Sequence, residues 1–141
     1  MLWKLIRGIT AVLVMPLLVG CQEEWHVAIT GLETGAVPRF CITKRPGCTG
    51  DGVWISIFAV LPVIDPVSWK TGKPVWRIEP EKPGASLREF VYGVTPTGYK
   101  QVVPPEPLQP GRIYEVGDYW FRLKETNGKL SHEVARMGQL K

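Results

Sequence analysis

The 141-residue chain carries 17 Lys and Arg against 13 Asp and Glu, is 45% hydrophobic, and contains three cysteines and two histidines. That is the length of one domain, with apolar material for one core. Lys44-Arg45 is the sole adjacent basic pair, so no phosphate-tracking surface and no nucleic-acid partner are expected. The chain opens with Lys4 and Arg7, then an apolar run from Ile9 to Leu18 interrupted by Thr10 and Pro16. A charged start, an apolar stretch of about ten residues and a small residue at the boundary make a secretory signal peptide. A bilayer-spanning helix needs about 20 apolar residues, which disfavours a permanent membrane helix.

Leu18-Val19-Gly20-Cys21 closes this stretch on a cysteine and resembles the lipobox of bacterial lipoproteins. The resemblance implies that Cys21 is alkylated with diacylglycerol, that residues 1–20 are removed, and that the new amine is acylated. With each buried acyl CH₂ contributing on the order of 0.8 kcal/mol, three chains would make release negligible. Gln22 stands where an Asp would imply inner-membrane retention, so the expected location is the outer membrane, facing the periplasm. Loss of Lys4 and Arg7 leaves 15 of the 17 basic residues against 13 acidic ones, close to neutrality. Residues 21–24 form the tether and 25–141 a single domain. An extended chain of that length holds the domain within about 10–15 Å of the bilayer.

Glycine and proline then punctuate short runs rich in Val, Ile, Trp, Tyr and Phe, the signature of strands. The first runs are Trp25–Thr30 and Arg39–Thr43. Cys41 and Cys48 flank Pro46-Gly47, a turn dipeptide, and an even pair in an exported chain predicts a disulfide. Closing so short a loop contributes about 2 kcal/mol on the loop-entropy model. A metal site would need more ligands nearby than the distant His26 and His132, and a redox pair would favour Cys-X-X-Cys. Val53–Val63, apolar on both faces, predicts one central strand, ended or bent by Pro62 and Pro66. Trp54, Phe58 and Tyr114 are expected in the core.

Val75–Glu79, Glu89–Val94, Tyr99–Val103 and Arg112–Val116 read as further strands. Ser86–Glu89 could open a helical turn, and Pro104–Pro107 reads as a stiff exposed connection. From Tyr119 onward, Tyr119, Phe121 and Leu123 alternate with Trp120, Arg122 and Lys124. Asn127-Gly128 suits a hairpin turn, so Lys129–Arg136 should return as a strand, although Ser131–Met137 alone could pass for a helix. The expected fold is all-β: an antiparallel β-sandwich of about 7–9 short strands.

Little in the chain suggests catalysis. Ser56, Ser68, Ser86 and Ser131 stand in neither Gly-X-Ser-X-Gly nor Ser-X-X-Lys. No His-X-X-X-His pair offers a zinc site, and Asp51, Asp65 and Asp118 neighbour Gly or Pro, which explains them as turn residues. No cofactor, no metal and no enzymatic activity are expected. The aromatic residues are the remaining resource. Trp69 stands beside Lys70, Gly72 and Pro74, and Trp120 alternates with charges, so Trp69, Trp120, Pro105 and Pro107 form a candidate protein-recognition surface. Packing over a sheet is the alternative.

Phe90 to Gln101, carrying Tyr92-Gly93-X-X-Pro96-X-Gly98, and Pro107 to Val116, carrying Pro107-Leu108-X-X-Gly111-X-X-Tyr114, resemble the C-terminal half of small proteobacterial lipoproteins with an immunoglobulin-like sandwich. Phe40-Cys41-Ile42 is similar to a strand in periplasmic lipoproteins proposed as type VI secretion immunity proteins. These motifs imply a fold and carry over no catalytic or ligand residue. The expected role is a lipid-anchored periplasmic binding protein with a protein partner, an immunity protein against a secreted toxin among them. An assembly accessory of an envelope machine and a small-ligand or glycan binder are the alternatives.

Overall fold

The computed structural model describes residues 24–33 and 37–140, and within them every regular element is a strand. Cys21, the expected leader 1–20 and residues 22–23 lie outside the described residues. In chain order the strands are β1 (His26–Glu33), β2 (Val37–Thr43), β3 (Val53–Trp54), β4 (Phe58–Asp65), β5 (Lys70–Thr71) and β6 (Trp76–Pro80), then β7 (Ser86–Leu87), β8 (Glu89–Val91), β9 (Tyr99–Val103), β10 (Ile113–Val116), β11 (Tyr119–Thr126) and β12 (Lys129–Arg136). Three of these twelve have two residues, which leaves nine of ordinary length.

All pairings are antiparallel. One sheet has the order β1-β2-β8, and the larger has β12-β11-β10-β4-β6-β9 with β5 added to β4. A ribbon of β3 and β7 stands apart. Val27, Ile29, Phe40, Ile42 and Phe90 of the small sheet meet Phe58, Val60, Trp76, Ile78, Tyr114 and Phe121 of the large one. The layers are locked by edge-on ring contacts, Phe40 lying 5.5 Å from Phe58 and 5.4 Å from Phe121, a favoured aromatic geometry. The fold is an antiparallel β-sandwich.

Buried tyrosine hydroxyls tie the loops to this core. Tyr92 donates to the carbonyls of Glu106 (2.6 Å) and Val75 (3.2 Å), and Tyr99 donates to those of Ala85 (2.8 Å) and Ile55 (3.3 Å). Burial raises the pKa of both above the ordinary tyrosine value, so they stay neutral donors. The Cys41–Cys48 disulfide is formed, with Cα atoms 5.6 Å apart.

Several expectations need correction. Val53–Val63 is two strands: Val53 and Trp54 pair with Leu87 and Ser86 in the ribbon, whereas pairing with β6 begins at Phe58. Between them the Ile55 carbonyl bonds the Tyr99 hydroxyl. Pro62 ends nothing. It sits inside β4, where it needs only to accept, its carbonyl receiving Gly72 N–H at 2.8 Å. Trp54 is 51% exposed, because the ribbon turns Val53 inward and its neighbour out. Ser86–Leu87 is extended, and residues 129–136 form β12, paired along their whole length with β11.

Candidate functional site

The β4–β5 hairpin builds the most exposed apolar group in the fold. Asp65 caps its turn, accepting Val67 N–H at 2.9 Å and the Ser68 hydroxyl at 2.6 Å. These bonds, Ser68 foremost, hold its carboxyl below the usual 3.8. Four residues after Asp65, Trp69 closes the turn with φ = +57°. That left-handed conformation belongs to glycine or asparagine and costs a bulky residue on the order of 1–2 kcal/mol. Trp69 nevertheless remains 55% exposed, with Ile64 at 56% and Val67 at 88%. One edge of the indole rests on Gly138, where an added Cβ would stand 3.2 Å from Trp69 Cζ2.

Trp120 is the correction at this site. It is fully buried and donates its indole N–H to Glu115 at 3.2 Å. After β12, Met137 N–H bonds the Asp118 carbonyl at 2.9 Å, and the chain turns back over the outer face of the large sheet. There Leu140 joins Trp120, Val63 and Ile113 in a second apolar cluster, with Ala135 and Met137 against it. The alternation that set Trp120 beside Arg122 and Lys124 is real. The face is covered, not open.

Pro105 and Pro107 are exposed, but the segment is fastened to the β6 side of the sheet. Glu106 N–H bonds the Val75 carbonyl at 2.8 Å, and a Cβ on Gly93 would meet the Pro105 ring at 3.3 Å. Trp69 packs instead on the C-terminal segment, so the expected surface divides into two places. Sequence reasoning missed Ile64 and Val67, which look like ordinary strand and loop residues until the hairpin lifts them clear.

The first described residues are docked beside the β10–β11 turn. The Glu24 carboxylate pairs with Arg136 at 2.6 Å, the Arg136 guanidinium lies 4.7 Å above the Tyr119 ring, and the Tyr119 hydroxyl is hydrogen-bonded to His26 Nδ1. Trp25 covers Gly117 so closely that a Cβ there would fall 2.3 Å from the ring. Burial raises the Tyr119 pKa, with Arg136 opposing.

Other groups were candidates for chemistry. Among the described residues, Cys41, Cys48 and Glu89 alone gather three metal-competent atoms, within 4.8 Å, and both sulfurs are consumed by the disulfide. A shallow groove is lined by Pro110, Gly111, Arg122, Lys124, Glu125 and Thr126. Its cations Arg122 and Lys124 both bind Glu133. Lys124 above all, then Arg122, holds that carboxyl below the usual 4.5. His132 is exposed on β12.

No family model, curated protein or solved structure matches the chain.

Proposed function

We propose that this chain is a lipid-anchored binding protein of the cell envelope, fixed through Cys21 in the outer membrane, facing the periplasm and working by protein recognition without catalysis. The observation that carries the reading is Trp69: an aromatic side chain held in a strained backbone conformation and left more than half exposed. The strain offsets what folding gains from the single edge contact with Gly138, whereas tryptophan is enriched at binding hot spots. Support for the anchor comes from the leader and the cysteine that follows it, with two residues between Cys21 and the docked Glu24. Neutralising a secreted toxin is the specific activity to which the lipoprotein resemblance points. The reading is tested by palmitate labelling and N-terminal mass analysis of the full-length product, with co-purification from solubilised envelope. A lipidated Cys21 and one stoichiometric protein partner are expected. An unmodified thiol, or turnover of a substrate by the purified protein, would overturn it.

A further inference from the structure

The docked residues 24–26 mark one end of the sandwich, and two separate routes through the fold bring an apolar group to that end. The first runs through the small sheet. His26, at the start of β1, pairs with Thr43 at the end of β2. Lys44 N–H then bonds the Asp51 carbonyl at 3.4 Å, and Asp51 leads directly into Val53–Trp54 of the ribbon. The second route runs through the large sheet. Leu61 lies opposite Glu115 and Pro62 opposite Tyr114, so the antiparallel register carries the chain before Phe58 out beside the β10–β11 turn. Trp25 covers that turn at Gly117, and Glu24 binds Arg136, the β12 partner of Tyr119.

At this end Val53, Ile55 and Phe58 turn into the core, whereas Trp54 and Ile57 stay 51% and 49% exposed. Asp51, Glu89 and Asp118 stand exposed here with Lys44, Arg45 and Arg88, so apolar surface and not charge distinguishes the end. Two residues separate Cys21 from Glu24, a reach of about 10 Å at full extension. A lipid on Cys21 therefore holds this end of the domain at the bilayer. Tryptophan is favoured where a bilayer meets water, its ring apolar and its N–H polar. So short a tether makes the contact intramolecular, and two side chains then suffice where they could not recruit a free protein.

We infer that Trp54 and Ile57 form a membrane-contact site, seated in the headgroup region of the same bilayer that holds the Cys21 lipid. This rests on the reading of the chain as lipid-anchored. The lipid supplies attachment, and the two side chains supply a second point of contact that stops the domain from swinging about residues 22–23.

The test uses full-length lipidated protein in phosphatidylcholine vesicles brominated near the headgroup end of the acyl chain, followed by tryptophan fluorescence. The difference between the parent and Trp54→Phe isolates the Trp54 emission, which should be quenched about twofold. Ile57→Asp changes an exposed position and should keep the parent's melting temperature while returning the Trp54 emission toward its unquenched level. Adding phosphatidylglycerol should change neither result. An unquenched Trp54, quenching indifferent to Ile57→Asp, or quenching that needs the anionic lipid would overturn the inference. A lipid-free Cys21 on mass analysis would overturn the anchored reading and the inference together, whereas an unquenched Trp54 on a lipidated chain overturns the inference alone.

Discussion

Trp69 and Trp120 both meet the C-terminal segment 137–140, yet one is more than half exposed and the other is not exposed at all. Leu140 lies in the same cluster as Trp120 and helps seal it. Gly138, without a side chain, supports only one edge of Trp69. A four-residue segment, distant in the chain from both strands it covers, therefore decides which tryptophan belongs to the core and which to the surface. An aromatic that alternates with charges is not thereby exposed; what matters is whether anything lies across that face.

Substitutions can break this contrast. The largest effect is expected for Trp120→Ala, which empties a fully buried site and should cost about 3–5 kcal/mol, lowering the melting temperature by roughly 10 °C or more in a thermal melt followed by circular dichroism. Leu140→Ala removes part of the cover and should cost about 2 kcal/mol, with the Trp120 emission moving to the red as water reaches it. An unchanged spectrum would mean that the tail is not what seals Trp120. Trp69→Gly should fall within about 1 kcal/mol of the parent in either direction, because relief of the left-handed strain offsets the lost contact with Gly138. A loss as large as that of Trp120→Ala would make Trp69 a core residue in function.

Acid gives the smallest expected effect. Asp65 and Glu133 both have folded pKa values below their ordinary 3.8 and 4.5. Their contribution is therefore present above those ordinary values and is lost as pH falls through the lower folded ones. Melting temperature should begin to drop below about pH 4.5, and Glu133→Gln should flatten part of that drop by slightly lowering the neutral-pH value, where the carboxylate's bonds to Lys124 and Arg122 are lost. A decline that starts well above that pH would mean that these two carboxylates do not set it.

Much of the fold was legible because its signals are local. Tyr99–Val103 and Lys129–Arg136 occupy the strands expected of them, and Asn127-Gly128 turns with φ of +52° and +73° at the two residues. Asp65 caps a turn, as its place before Pro66 implied. What was not legible depends on partners remote in the chain. The break between Val53–Trp54 and Phe58 exists because β7 and β6 claim different halves of one apolar run. Trp54 faces out because pairing with β7 turns Val53 inward and its neighbour out, and Trp120 faces a cover that no periodicity announces. Of the site, Trp69 was found from its Gly- and Pro-rich setting. Its positive φ, and the company of Ile64 and Val67, required the folded hairpin.

The disulfide has a chemical consequence. Cys41 is fully enclosed, whereas Cys48 is partly open to solvent, with a Glu89 carboxylate oxygen 3.6 Å from its sulfur. An external thiolate can reach only the outer sulfur, and in doing so must approach a negative charge. The leaving group would be the enclosed one, its anion forming without hydration. Both features slow exchange, so the cross-link should outlast mild reductants and resist reshuffling with the cysteines of neighbouring proteins.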